Sequence, residues 1–249
     1  MLGKYKISIH LLFIKIFFIS AVFSASADED FNSWLSSYKK FALSEGISQE
    51  TLNLAFKNVK FLDQVIKYDR KQPEFFEDTI TYVSKRANTN RVNKAKKLLK
   101  KNSNLFIEVE NKFLVEKEIL LALWGIETNF GKHVGKMDII SSLATLSYDK
   151  RRRDFFSSQL LILLKLIDSK LIDPRTLFGS WAGAYGNFQF MPSTINNYAI
   201  DYNNDNKIEL KKSLEDSVAS AANYIKKMDW KKDEPCFYKV KLKNKKKIF

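Results

Sequence analysis

Apolar side chains recur at intervals of three and four along most of this chain, and that spacing restricts it to a helical fold. Phe31, Trp34, Leu35, Tyr38, Phe41 and Ala42 fall on one helical face, and Gly46 ends that helix. Ser48 is placed to cap the next helix, whose apolar stripe is Leu52, Ala55, Phe56 and Val59. Pro73 is a second break, followed by a helix from about Glu74 to Ala87 and another from Val92 to about Val109. Val115 to Glu127 and Phe155 to Ile172 repeat the pattern, the latter stopped by Asp173-Pro174. Ser217 to Met228 is the last helix. Only Tyr238, Val240 and Leu242, alternating with Lys239 and Lys241, read as a strand. With 8 Gly and 4 Pro in 249 residues and 45% hydrophobic content, the chain builds one large packed domain, with or without a small lobe.

The first 27 residues are of another kind. Lys4 and Lys6 precede an apolar run from Leu11 to Phe23, interrupted by Lys15, and Ala25-Ser26-Ala27 supplies small residues at cleavage spacing. This is the pattern of a secretory signal peptide over residues 1–27, with a short membrane anchor as the alternative. The expected location is therefore periplasmic, with loose membrane association. The sole cysteine, Cys236, rules out an intramolecular disulfide. The net charge is +14, of which +3 comes from Lys4, Lys6 and Lys15. Such a balance favours anionic partners, but the lysines are scattered, with neither zinc-finger spacing nor a basic strand interleaved with aromatics. Nucleic acid is not an expected partner.

Chemistry concentrates in two segments. Leu120, Leu123, Trp124 and Glu127 share one helical face, so Glu127 projects beside apolar neighbours near a helix C-terminus. Both surroundings disfavour the anion and raise the carboxyl pKa, as a general acid requires. A core-edge glutamate paired with a cation is the plainer alternative. Gly125 leaves room beside Glu127, and Gly131 permits a sharp exit. The second segment, Gly179 to Ser193, reads GSWAGAYGNFQFMPS. Its glycines suggest close backbone approach. Trp181, Tyr185, Phe188 and Phe190 could offer faces to sugar rings, and Ser180 and Gln189 could bond amides and hydroxyls. A buried turn is the alternative.

The two motifs Gly125-Ile-Glu-Thr-Asn-Phe-Gly131 and Gly179 to Ser193 together resemble the membrane-bound lytic murein transglycosylase B family. Asp69-Arg-Lys-Gln-Pro-Glu-Phe75, Ala144-Thr-Leu-Ser147 with Arg151-Arg152, and Ala222-Asn-Tyr-Ile225 extend the resemblance from about Phe31 to Leu242. It implies a mainly α, lysozyme-like domain over residues 28–249. It also implies cleavage of the bond between N-acetylmuramic acid and N-acetylglucosamine in peptidoglycan by a monomer that needs no cofactor. The family's single catalytic acid/base falls on Glu127. Ser180, Gln189, Phe190, Tyr224 and, less directly, Tyr82 match substrate-contacting positions, and Arg151 and Arg152 match a basic pair near the stem peptide. A degenerate glycan-binding protein and a hydrolytic muramidase are the alternatives to the transglycosylase.

Asp201-Tyr-Asn-Asn-Asp-Asn-Lys-Ile208 has the oxygen spacing of an EF-hand loop. Asp201, Asn203, Asp205 and the Lys207 carbonyl are the expected ligands of a weak structural calcium ion. Asn206 stands where Gly is usual. Lys212 occupies the twelfth position and cannot bind calcium, so the late carboxylate is assigned by the resemblance to Asp216, with Glu215 as runner-up. Members of the family continue beyond this sequence's end, completing a small β lobe and adding a helix with an active-site Asn. A shortened C-terminus with an incomplete β lobe is therefore expected.

Overall fold

The computed structural model describes residues 30–71, 78–237 and 241. The leader segment 1–27 and all of the expected C-terminal strand but Lys241 lie outside them. Among the described residues eleven α-helices follow in chain order: α1 (30–44), α2 (Gln49–Ala55), α3 (Asp63–Arg70), α4 (Thr79–Arg86), α5 (Thr89–Lys101), α6 (Ser103–Phe113), α7 (Lys117–Thr128), α8 (Ile139–Tyr148), α9 (Arg153–Asp168), α10 (Pro192–Tyr198) and α11 (Leu214–Lys227). The two short strands β1 (Met137–Asp138) and β2 (Phe178–Gly179) pair antiparallel, Met137 opposite Gly179. The helical class expected from the apolar spacing is the class observed. Among the described residues no helix is long and apolar enough to cross a membrane.

One apolar core runs through the molecule, centred on α8 and α9, which pack on each other most extensively. Leu143, Leu146, Phe156, Leu160, Leu163 and Leu164 are almost wholly buried there. Polar groups on the buried face of α8 also staple a neighbouring segment. Ser141 Oγ accepts the Lys60 N–H at 3.1 Å and Thr145 Oγ1 accepts that of Leu62 at 3.0 Å. These bonds satisfy backbone groups that burial would otherwise leave unpaired.

Capping fixes several boundaries. Ser48 caps α2 as expected, its hydroxyl accepting the Thr51 N–H at 3.1 Å. Asp78 caps α4 through the Thr81 N–H at 3.0 Å, so that helix begins later than the spacing suggested. Ser213 caps α11, which starts three residues before Ser217. The single helix expected over Val92–Val109 is two. Asn102 closes α5 and opens α6, and its N–H and side-chain amide both donate to the Leu98 carbonyl, at 3.0 and 2.9 Å. Helix α9 stops at Asp168 rather than Ile172, where Lys170 turns left-handed at φ 61°.

Candidate active site

Helix α7 buries Leu120, Leu121 and Trp124 and ends in a chain reversal. Asn129, Phe130 and Gly131 are all left-handed, at φ 50°, 60° and 77°. This conformation costs non-glycine residues energy, so neighbours must hold it. Lys94 donates to the Asn129 carbonyl at 3.0 Å, and the Phe130 ring packs edge-on against Trp124 with centroids 5.6 Å apart. Gly125 is required by that ring, since a Cβ there would meet Phe130 Cζ at 2.9 Å. The space Gly125 leaves is thus filled by Phe130, not kept open beside Glu127 as the sequence suggested.

Glu127 is the penultimate residue of α7. Its side chain is exposed at the mouth of a groove. Protein packed around the carboxyl still displaces enough water to raise its pKa above the ordinary carboxylate range. The exposure means solvent screens part of that effect. The groove holds about 190 Å³ and is lined by Leu123, Glu127, Gln189, Phe190, Met191, Thr194, Tyr224 and neighbouring apolar atoms. Five of the candidate site residues singled out in the sequence therefore converge: Glu127, Phe188, Gln189, Phe190 and Tyr224.

The facing wall is the loop between β2 and α10. A reciprocal pair of 2.9 Å backbone bonds between Tyr185 and Phe190 pinches it shut, forcing Gln189 to φ 51°. Gln189 Nε2 donates to the Gly186 and Val134 carbonyls at 2.9 and 3.3 Å. Its amide nitrogen is therefore spent on shaping the loop. Tyr224 stands on α11, edge-on to Phe190 at 5.7 Å and to Tyr198 at 5.1 Å. Such contacts hold an aromatic side wall rigid.

The expectation of sugar-stacking aromatics needs correction. Tyr185, Phe188 and Phe190 are 3%, 8% and 7% exposed, so their rings are packed in the core, and only Phe188 and Phe190 border the groove. Trp181 is half-buried beside Tyr68. The cause is the tight loop closure between Tyr185 and Phe190, which folds these rings inward.

Other expected site residues lie apart from the Glu127 groove. Ser180 Oγ accepts the Ala184 N–H at 2.9 Å and closes a turn. Tyr82 lies on α4 with the Arg86 guanidinium over its ring at 3.6 Å. Arg151 and Arg152 both bond the Asp69 carboxylate, whose side chain is only 1% exposed, and Arg70 bridges Asp69 to Asp149. Burial alone would raise the Asp69 pKa. The hydrogen bonds and charges of Arg152 and Arg151 outweigh it and hold the carboxyl below its usual range.

Asn187, which no sequence pattern singled out, binds the acid-bearing helix to the rest of the site. Its Oδ1 accepts from Trp124 Nε1 at 3.1 Å, and its carbonyl accepts from Thr128 Oγ1 at 2.8 Å. Its Nδ2 donates to the Leu210 carbonyl and Ser217 Oγ at 3.2 and 3.1 Å. Leu123, Ala221 and Ile225 were also missed as lining residues, although one lies a helical turn before Glu127 and two flank Tyr224 on α11.

Loop 201–207 is organised around its oxygens. Asp201 accepts the N–H groups of Asp205 and Asn206, Asn203 accepts that of Asp205, and Asp205 accepts that of Lys207. Asn206 adopts φ 66°, the left-handed conformation expected where Gly is usual. Asp216 is fully buried, and its oxygens accept the Tyr202 and Glu209 N–H groups at 3.0 Å each. Among the described residues no three His, Cys, Asp or Glu side chains converge into a metal-binding group. The donors present are nonetheless hard oxygens of the kind calcium takes.

A mainly helical, lysozyme-like domain with a single carboxyl at a groove mouth is the class that this fold and site define. The Transglycosylase SLT domain family matches residues 30–248, and the chain belongs to that family. It is 40% identical over 121 residues to the membrane-bound lytic murein transglycosylase B of Escherichia coli (strain K12), covering 48% of this chain and 33% of that protein. The crystal structure of SltB3 from Pseudomonas aeruginosa in complex with NAG-anhNAM-pentapeptide superposes with a TM-score of 0.80 at 36% identity, covering 82% of this chain and 55% of that one. The Escherichia coli lytic transglycosylase Slt35 in complex with calcium matches with a TM-score of 0.70 at 30% identity, covering 84% of this chain and 65% of that one. The chain thus spans a third of that curated relative and about half of SltB3.

Proposed function

We propose that this protein is a peptidoglycan lytic transglycosylase that cleaves the β-1,4 bond between N-acetylmuramic acid and N-acetylglucosamine, with Glu127 as its acid and base. The observation that carries this reading is the Glu127 carboxyl, held at a groove mouth with a raised pKa opposite Gln189 and Tyr224. A protonated carboxyl can give its proton to the glycosidic oxygen as the C1–O bond breaks. The substrate's acetamido group can stabilise the positive charge at C1, which removes the need for a second carboxylate. Glu127, now ionised, takes the proton of the muramyl C6 hydroxyl as that oxygen bonds to C1, giving a 1,6-anhydro end. Attack from within the same sugar has a high effective concentration and outruns water. No cofactor takes part in these steps.

In this reading Gln189, Phe190 and Tyr224 contact the glycan around Glu127, and Ser180 and Tyr82 contact it further along. Arg151 and Arg152 meet the anionic stem peptide. Residues 1–27 direct export to the periplasm, residues 28–249 form the catalytic domain, and the protein works as a monomer at the wall, loosely associated with the membrane. Asp201, Asn203, Asp205, the Lys207 carbonyl and Asp216 would hold a structural calcium ion that stiffens the loop beneath α11. Support comes from the inward-facing loop oxygens and from a calcium complex of a related transglycosylase.

Incubation of the purified protein with peptidoglycan, followed by mass spectrometry of soluble muropeptides, tests the reading. Anhydromuramyl ends are expected. Reducing ends would identify a hydrolytic muramidase instead, and the absence of any soluble product would leave only glycan binding.

A further inference from the structure

Helices α4 and α5 form the most one-sidedly charged part of the described chain. Residues 79–101 hold eight Lys and Arg and no Asp or Glu. Neither helix fully buries a single residue. Large aliphatic side chains stand in solvent among these charges: Ile80 is 82% exposed, Val83 52% and Val92 45%. Exposed cations alone are a solubilising surface. Exposed isoleucine and valine on the same two helices gain nothing from water, and transfer to an apolar phase would be favourable for each of them. Between α5 and α7 the surface is also indented by a groove of about 290 Å³ with mostly aliphatic walls, including Val92, Leu99 and Leu121, and with Arg91 and Lys96 at its rim. Glu118 is the one acid there. Amphipathic helices with basic polar faces and protruding aliphatic residues are suited to the headgroup boundary of an anionic bilayer.

We propose that the α4–α5 pair is a peripheral docking face for a bilayer rich in anionic phospholipid. Ile80, Val83 and Val92 enter the interface, and Lys96, Lys97, Lys100 and Lys101 meet lipid phosphates. This rests on the membrane association proposed above and specifies its surface, but it does not depend on the glycan chemistry. A soluble polyanion would satisfy the lysines and leave the aliphatic residues in water, so the lipid surface accounts for more of what is exposed.

Co-sedimentation of the full chain with vesicles of phosphatidylglycerol and phosphatidylcholine, against phosphatidylcholine alone, tests the proposal. Residues 1–27 are common to all variants, so differences between variants report the helices. Reversal of the four lysines (K96E/K97E/K100E/K101E) should weaken partitioning onto anionic vesicles about a hundredfold or more. Ile80→Ser with Val83→Ser should weaken it roughly tenfold while preserving its salt dependence. All of these positions are exposed, so circular dichroism should report an unchanged fold. Glu127→Gln should bind vesicles like the parent, which separates a failure of docking from a failure of catalysis. Equal binding to both vesicle types, or undiminished binding by the lysine variant, would overturn the proposal. So would serine variants that partition like the parent while dextran sulfate competes fully, since the face would then be a polyanion site. A solution dimer dispersed by the serine substitutions would assign the aliphatic residues to self-association and equally overturn it.

Discussion

The indole Nε1 of Trp124 donates to Asn187 Oδ1 at 3.1 Å, and through this one amide the helix bearing Glu127 is coupled to the loop opposite. The same amide donates to the Leu210 carbonyl and Ser217 Oγ, and Thr128 Oγ1 bonds the Asn187 carbonyl at 2.8 Å. Asn187 therefore joins α7, the 201–213 segment and α11 at 6% exposure.

Asn187→Ala should leave the Trp124 indole without its partner in a buried site, while the Leu210 carbonyl keeps the residue 187 N–H and the Ser217 hydroxyl. An unsatisfied buried group costs about 1–3 kcal/mol, and a loss in that range is expected by urea unfolding. Because Gly131 approaches the Asn187 side chain closely, the α7 exit should loosen too, so turnover should fall more than glycan affinity. A variant as stable and active as the parent would show the network to be incidental.

Glu127→Gln keeps the volume and removes the proton donor. Muropeptide release should fall by a factor of about 10²–10⁴, the range expected for loss of a general acid or base. Pull-down on insoluble peptidoglycan should be unchanged. Retained cleavage would remove Glu127 from its proposed role.

The raised pKa of Glu127 has a thermodynamic consequence of definite sign. Ionising a partly desolvated carboxyl is harder in the folded than in the unfolded chain. The neutral acid therefore favours folding below the unfolded-state pKa of about 4.3, and this contribution is lost as pH rises through the folded pKa. Glu127→Gln should accordingly melt a degree or two higher than the parent at pH 7, with the difference shrinking towards pH 4. Differential scanning calorimetry across that range checks it, and a pH-independent difference would refute desolvation as the cause.

Much of this site was legible before the fold. The three- and four-residue spacing placed Leu120, Trp124 and Glu127 on one face, and Ser48 announced its own cap. The exit of α7 was half visible: Gly131 marked it, but nothing local says that Asn129 and Phe130 also turn left-handed, since Lys94 and Trp124 hold them from outside the segment. Composition likewise could not tell a sugar platform from a core turn in the 179–193 loop. The distinction depends on the Tyr185–Phe190 backbone pairing, which buries the rings. The pairing of β1 with β2 was invisible because two residues per strand carry no period.

The Asp69 cluster gives a further test. Its carboxylate is 1% exposed and lies among Arg70, Arg151 and Arg152, so Asp69→Asn leaves three guanidinium groups around a neutral amide. The three guanidinium groups are each more than a third exposed and screened by solvent, so the expected loss is about 1–3 kcal/mol. The lowered folded pKa means the cluster stabilises the protein above the unfolded carboxyl pKa and is lost as pH falls through the folded value. The parent and the variant should therefore differ most at neutral pH and converge in strong acid, measured by urea midpoints. If Arg151 and Arg152 also meet the stem peptide, Asp69→Asn should weaken binding of peptide-bearing muropeptides more than of bare glycan.

Calcium at the 201–207 loop would act on stability, not on the chemistry at Glu127. Asp201 accepts the Asp205 and Asn206 N–H groups, so Asp201→Ala removes both a turn constraint and a proposed ligand. The ligand role is isolated by comparing melting temperatures with calcium and with chelator. A ligand that binds only the folded state stabilises it by about 2.7 kcal/mol at a hundredfold excess over Kd. The parent should gain that increment and the Asp201→Ala variant should not. A difference between parent and variant that is the same in chelator as in calcium would confine Asp201 to shaping the turn.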